Sequence, residues 1–168
     1  LAAGLSSITL PNNSLFPNAA FGMYSVNSAD FQVIVLACFS LGMTALQGYA
    51  MPSFSTLVIR SAKGADVAHP VRYELAWWQE RGQRRFWCWH PIPPPGFASL
   101  GDVGTLTADP PSPEEVVCVA LTHLAPIQAC LGDQIWNDRG GGAPKDAAFF
   151  QQPGGTGLFR CSDDATHN

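Results

Sequence analysis

The sequence predicts an all-β chain, and three observations lead there. Sixteen glycines and 14 prolines among 168 residues cut it into runs of about 7–12 residues, the length of strands rather than of bundle helices. The runs between them are rich in β-branched and aromatic residues: Thr56-Leu-Val-Ile59, Tyr73-Glu-Leu-Ala-Trp77, Phe86-Trp-Cys-Trp89 and Val116-Val-Cys-Val119. Such side chains fit a pleated surface better than a helix interior. Finally, one hairpin pattern occurs twice. Tyr73 to Gly82 reads as a strand ending in Trp and a charged turn closed by Gly, followed by an aromatic strand from Phe86. Ile135-Trp136-Asn-Asp-Arg-Gly140, followed by Phe149-Phe150, repeats it 58 residues later.

The elements follow in chain order. Phe31-Gln-Val-Ile-Val-Leu36 suits a strand buried on both faces. It opens into the charge-free segment Val33–Leu46, 14 residues long. A spanning helix needs about 20 apolar residues, so a core role is expected, with a membrane span as the alternative. Thr56–Ile59 is the next strand, and Tyr73–Trp77 with Phe86–Trp89 forms the first clear hairpin. His90-Pro-Ile-Pro-Pro-Pro-Gly96 then favours polyproline II geometry. Bracketed by Trp87, Trp89 and Phe97, it reads as an ordered internal corner; an exposed Pro-x-x-Pro ligand is the alternative.

Ser112-Pro-Glu-Glu115 carries a helix-start pattern, with a capping Ser and Pro at the first helical position. The β-branched Val116-Val117 after it argues for one turn leading into a strand. The second hairpin closes the chain. Phe31–Ile34 reads as a degenerate third copy. One domain of repeats follows: a degenerate first at 1–69, a second at 70–132, and a partial third at 133–168. A lone hairpin cannot bury its own apolar face, so the copies must pack on one another. They would do so as a β-prism or as consecutive small β-sandwich repeats.

Charge bounds the function. Nine basic and 13 acidic residues give a net charge of −4, and only Asp30 is charged between Leu1 and Ile59. Without a Lys/Arg cluster there is no footprint for nucleic acid. Eighteen aromatic residues argue against disorder. Five widely spaced cysteines with no Cys-x-x-Cys pair read as reduced core thiols, not a disulfide framework. The sequon Asn12-Asn-Ser14 matters only for a secreted chain.

No catalytic constellation emerges. Cys88 and His90 share a strand face, and Cys118, His123 and Cys130 could complete a zinc site. The paired ligand knuckles of such sites are absent, so core cysteine is expected. Cys88 or Cys118 with His123 could form a nucleophile pair, but nothing local activates either thiol. Gly140–Gly142 and Gly154–Gly157 lack the Gly-Lys-Ser/Thr of a phosphate loop and read as turns. Asp102, Asp109, Glu114, Glu115, Asp133 and Asp138 show no pair spacing that favours acid–base chemistry over capping. No cofactor or metal is expected.

Longer motifs say more. Phe86-Trp-Cys-Trp-His-Pro-Ile-Pro-Pro-Pro-Gly-Phe-Ala-Ser-Leu-Gly-Asp102 is followed by Glu115-Val-Val-Cys-Val119, Ile135-Trp136 and Gly157-Leu-Phe-Arg-Cys161. This succession resembles the repeat of the Vps62-like family, the vacuolar protein sorting-associated proteins 62. Its Trp–Pro–Pro–Gly–aromatic–Leu–Gly–Asp unit is also similar to the adaptor-binding repeats of Vps13-type lipid-transfer proteins. The resemblance covers about 90 residues from Pro70 to Cys161. Residues 1–69 follow it only through Leu41-Gly42 and Tyr49 to Arg60, without the aromatic–Pro–Gly element.

The resemblance implies a noncatalytic binding module of the endomembrane and vacuolar system. It would be cytoplasmic and peripheral to the membrane, with a peptide adaptor or a lipid surface as partner. Asn137 is the candidate for contacting Pro-x-Pro adaptor motifs, with Trp89 and Trp136 as further binding candidates. A secreted carbohydrate-binding β-prism lectin is the reading from another class.

Overall fold

The computed structural model describes residues 4–9, 21–24, 38–47, 55–60, 66–81, 85–124, 132–141 and 143–162. Apart from one short 3-10 turn at Leu121–His123, every regular element among them is a strand. Four three-stranded sheets and one two-stranded sheet form, all of them antiparallel.

The first sheet takes β1 (Gly4–Thr9), β3 (Cys38–Ser40) and β5 (Ser55–Arg60), with β5 in the middle. Beside it in sequence, β2 (Phe21–Tyr24) pairs with β4 (Thr44–Gln47). A second sheet centres on β8 (Phe86–Ile92), flanked by β7 (Arg72–Gln79) and β10 (Val103–Thr105). The last runs as a meander through β12 (Gln134–Asn137), β13 (Ala148–Gln151) and β14 (Phe159–Ser162). Three short strands, β6 (Val67–Ala68), β9 (Phe97–Ala98) and β11 (Cys118–Ala120), make the remaining sheet around β11.

The expected strands at 56–59, 73–77 and 86–89 all form. Between 116 and 119 the strand starts later, at Cys118, where the ladder with Ala68 begins; Val117 N–H donates outside that ladder, to Ser40 O at 2.9 Å. Ahead of them Ser112–Glu115 makes the single turn its sequence suggests. Glu115 N–H donates to Ser112 O at 3.0 Å, and Glu114 N–H reaches Ser112 Oγ at 3.3 Å. Phe31–Ile34, Cys130 and the Asn12 sequon lie outside the described residues.

Both expected hairpins form, and each carries a β-bulge just before a tryptophan. The register shifts between Leu75 and Trp77 opposite β8, and between Gln134 and Trp136 opposite β13. After the bulge Trp77 faces Cys88, and Trp136 faces Phe149. The tryptophan that follows the bulge is Trp77 in one hairpin and Trp136 in the other, whereas the sequence echo sets Trp78 against Trp136. A one-residue slip sends each side chain to the other face of the sheet. Trp77 is accordingly the buried one, packed edge-on to Trp136 at 5.6 Å and to Phe149 at 5.7 Å.

The core has two parts. The larger gathers Trp77, Phe86, Cys88, Val103, Phe149 and Phe159 with Met43 and Ala45. The smaller joins Leu41 and Ile59 to Val117, Val119 and Leu158. Adjacent residues split between the two, as at Leu158 and Phe159, because strand side chains alternate. Within the charge-poor region Leu41, Met43, Thr44, Ala45, Val58 and Ile59 are interior. Residues 38–46 of the 14-residue apolar segment lie in β3, β4 and the link between them, and Leu41, Met43 and Ala45 are buried. Among the described residues no helix is long and apolar enough to cross a membrane.

Three distant segments meet at the centre. Met43 N–H donates to Asp102 O at 2.9 Å, and Asp102 N–H donates to Phe159 O at 3.0 Å. This close approach needs glycine. A Cβ on Gly42, at φ +146°, would lie 2.8 Å from the Gly101 Cα.

Candidate functional site

The segment from His90 to Asp102 supplies both candidate features of the molecule. Pro91 is buried inside β8 and faces Tyr73. Proline is tolerated there because β10 pairs with β8 only as far as Trp89, so no neighbour on that side needs a Pro91 N–H. Pro93–Gly96 then reverses the chain, with Phe97 N–H donating to Pro94 O at 3.2 Å and Gly96 at φ +84°. This is an ordered corner, as the sequence indicates.

Beyond that corner lies a buried polar node. Asp102 is fully buried, and its Oδ1 accepts from His90 Nδ1 at 2.8 Å and from Arg160 at 3.1 Å. Oδ2 accepts from Cys161 N–H at 2.7 Å. Arg160 also donates to Ser99 O at 3.0 Å and lies against both ring nitrogens of His90. The arrangement ties β8, β14 and the Ser99–Asp102 link together. Burying a carboxylate is tolerable only with this kind of full pairing. A histidine between aspartate and arginine has its ring nitrogens engaged, which suits bracing better than proton transfer.

Cys88 and Cys118 are interior, and burial favours the protonated form of both thiols. Burial raises the Cys88 pKa well above its usual value, and the hydrogen bond with Cys161 raises it further. Burial also pushes the Cys118 thiol up to about 11, against an opposing pull from Arg160. Cys88, Cys118 and Cys161 are free cysteines. The spacing of Cys88 and His90 places both on one face of β8, but His123 is held elsewhere, by Asp66 at 2.9 Å. Among the described residues no group of three His, Cys, Asp or Glu side chains could hold a metal ion.

The three binding candidates are not gathered at one place. Trp89 is buried, and its Nε1–H donates to Thr105 Oγ1 at 2.8 Å. Trp136 is half-buried against Trp77 and Phe149. Asn137 is half-buried, and its Oδ1 accepts from Arg139 N–H at 3.2 Å in the turn after β12. Its neighbour Asp138 caps the same hairpin, with Oδ1 accepting from Ala147 N–H at 2.6 Å. Gly140, Gly154, Gly155 and Gly157 all have positive φ, as turn glycines do.

The candidates named from the sequence do not include an exposed apolar tip. Among the described residues the exposed large apolar side chains are Val71, Leu75, Leu106 and Leu121. Two of them are held by their backbones to the two ends of the Pro93–Gly96 corner. Val71 N–H donates to Ile92 O, and Leu121 N–H donates to Gly96 O, each at 2.9 Å. The sequence signal was present in residues 91–101, which carry no charge. The participation of Val71 and Leu121 depends on pairings across about 20–25 residues and is not local.

Comparison with known proteins places the chain. It matches the family described as vacuolar protein sorting-associated protein 62 over residues 17–138. The chain belongs to the Vps62 family. The Pro-rich corner, the Leu-Gly-Asp link and Asp102 itself all fall inside that match. Among curated proteins, none matches. A solved structure, GNIP1Aa from Chromobacterium piscinae, is similar in fold, with a TM-score of 0.76 at 19% identity. The similarity covers 95% of this Vps62-family chain and 32% of GNIP1Aa, so the chain spans about a third of that protein's length.

Proposed function

We propose that this Vps62-family chain is a noncatalytic β-sheet binding module of the endomembrane and vacuolar sorting system. It acts at the cytoplasmic face of a membrane and recognises a peptide adaptor or the membrane surface itself. The observation that carries the reading is the apolar corner, where exposed Val71 and Leu121 flank a proline turn on an otherwise packed β scaffold. Exposed apolar side chains beside a chain reversal are where interaction sites form on a rigid scaffold. Family membership supplies the sorting context.

The chemistry of the reactive side chains supports the same reading. His90 and Asp102 are bound to Arg160, and Cys88 is buried with its pKa raised. Each therefore braces the fold. The resemblance to adaptor-binding repeats makes Asn137 the contact residue for a Pro-x-Pro peptide. Two assays test the proposal: sedimentation of the purified chain with vesicles, and titration with Pro-x-Pro peptides. Binding in either supports it. A folded chain that binds neither overturns it.

A further inference from the structure

Of the two partner classes, the exposed tip fits one better. Val71 and Leu121 are 59% and 53% exposed, and the turn between them is Ile92-Pro93-Pro94-Pro95-Gly96. Pro95 and Gly96 are exposed, while Ile92, Pro93 and Pro94 are half-buried. The segment is a chain reversal closed by the bond from Phe97 N–H to Pro94 O, with its exposed residues at the turn.

Its backbone is inexpensive to dehydrate. Prolines 93, 94 and 95 have no N–H. The N–H groups of Val71, Phe97 and Leu121 are all bonded within the tip. Unbonded N–H and C=O groups keep irregular backbone out of lipid, and the prolines and these bonds reduce their number.

Arg72, next to Val71, pairs with Glu74 at 2.5 Å, and His123, two residues after Leu121, is hydrogen-bonded to Asp66 at 2.9 Å. Residues 91–101 carry no charge, so the turn itself offers no basic patch for anionic headgroups.

From these features we infer that the tip formed by Val71, Ile92, Pro93, Pro94, Pro95 and Leu121 inserts into the interfacial layer of a lipid bilayer. This rests on the binding-module reading and names the partner of that site. Apolar burial drives the association. It should therefore occur on zwitterionic phosphatidylcholine vesicles and depend weakly on salt, in contrast to attachment by charge.

The test is vesicle sedimentation of the full chain and three variants. Val71→Asp with Leu121→Asp should reduce the vesicle-bound fraction by about tenfold or more, since each places a charge in the inserted surface. Leu121→Ser alone should give a smaller loss. Leu106→Asp is the control. Leu106 is 52% exposed but follows Thr105, which faces Trp87 at the other end of β8. All substituted residues are exposed, and circular dichroism checks that each variant folds.

Loss in the tip variants with retention in Leu106→Asp supports the inference. Equal binding by the tip variants and the wild type overturns it while leaving the binding-module reading standing. So does peptide binding without vesicle binding. Failure to bind either overturns both.

Discussion

Arg160 donates to the buried Oδ1 of Asp102 at 3.1 Å, joining residues 58 apart in the chain. Asp102 is wholly inaccessible, while the Arg160 side chain keeps 21% of its surface. Removing the carboxylate would strand a partly buried guanidinium and free the Cys161 N–H. Asp102→Ala is therefore expected to destabilise the fold by about 3–5 kcal/mol, and Asp102→Asn by less. Urea unfolding followed by tryptophan fluorescence measures both. A loss under 1 kcal/mol in Asp102→Ala, on the order of an exposed ion pair, would contradict the bracing role.

Phe149 holds the larger core together. It is fully buried and stacks at 5.2–6.4 Å against Trp77, Phe86, Trp136 and Phe159. Phe149→Ala should cost about 3–5 kcal/mol, and Phe149→Leu clearly less. Thermal and urea midpoints of the two variants would show the ranking, and its reversal would place Phe149 outside the core.

The Gly42–Gly101 approach predicts an ordered pair of effects. Gly42→Ala sets a Cβ 2.8 Å from backbone in a conformation with φ +146°. Gly101→Ala meets its nearest atoms at 3.3 Å, among them the Leu158 Cβ. The first substitution should cost more than about 1 kcal/mol, and the second should cost less than the first. Equal melting temperatures for wild type and Gly42→Ala would remove the close approach from the account.

Alkali should loosen the fold. The folded state raises the Cys118 pKa from 9.0 to about 11, so it holds that proton more tightly than the unfolded chain does. The associated stability is complete below pH 9.0 and is lost as the pH rises through about 11. Buried Cys88 and half-buried Tyr73 act in the same direction. Melting temperature recorded across this range should fall above pH 9, and Cys118→Ala should soften the fall. An unchanged slope in that variant would exclude Cys118 from the effect.

Much of this fold was legible because strands depend on local chemistry. The β-branched and aromatic runs at 56–59, 73–77 and 86–89 became strands, and the proline segment became a corner. The bulges were not legible. A repeat offset of 58 aligns Trp136 with Trp78, whereas the ladder aligns it with Trp77, and only pairing partners fix that choice. Asp102 could be seen as a carboxylate but not as a hub. His90 lies 12 residues away and Arg160 lies 58, so sequence spacing gives no hint that they converge. Trp89 and Trp136 illustrate the same limit, since an aromatic on a strand reads alike whether it faces solvent or core.

The most direct test of the central claim is the binding of the wild-type chain to phosphatidylcholine vesicles at low and at high salt. The account predicts a bound fraction that rises with lipid and changes little with salt, because the contact is apolar. A chain that stays in the supernatant at every lipid concentration, or binding that collapses with salt, would contradict it.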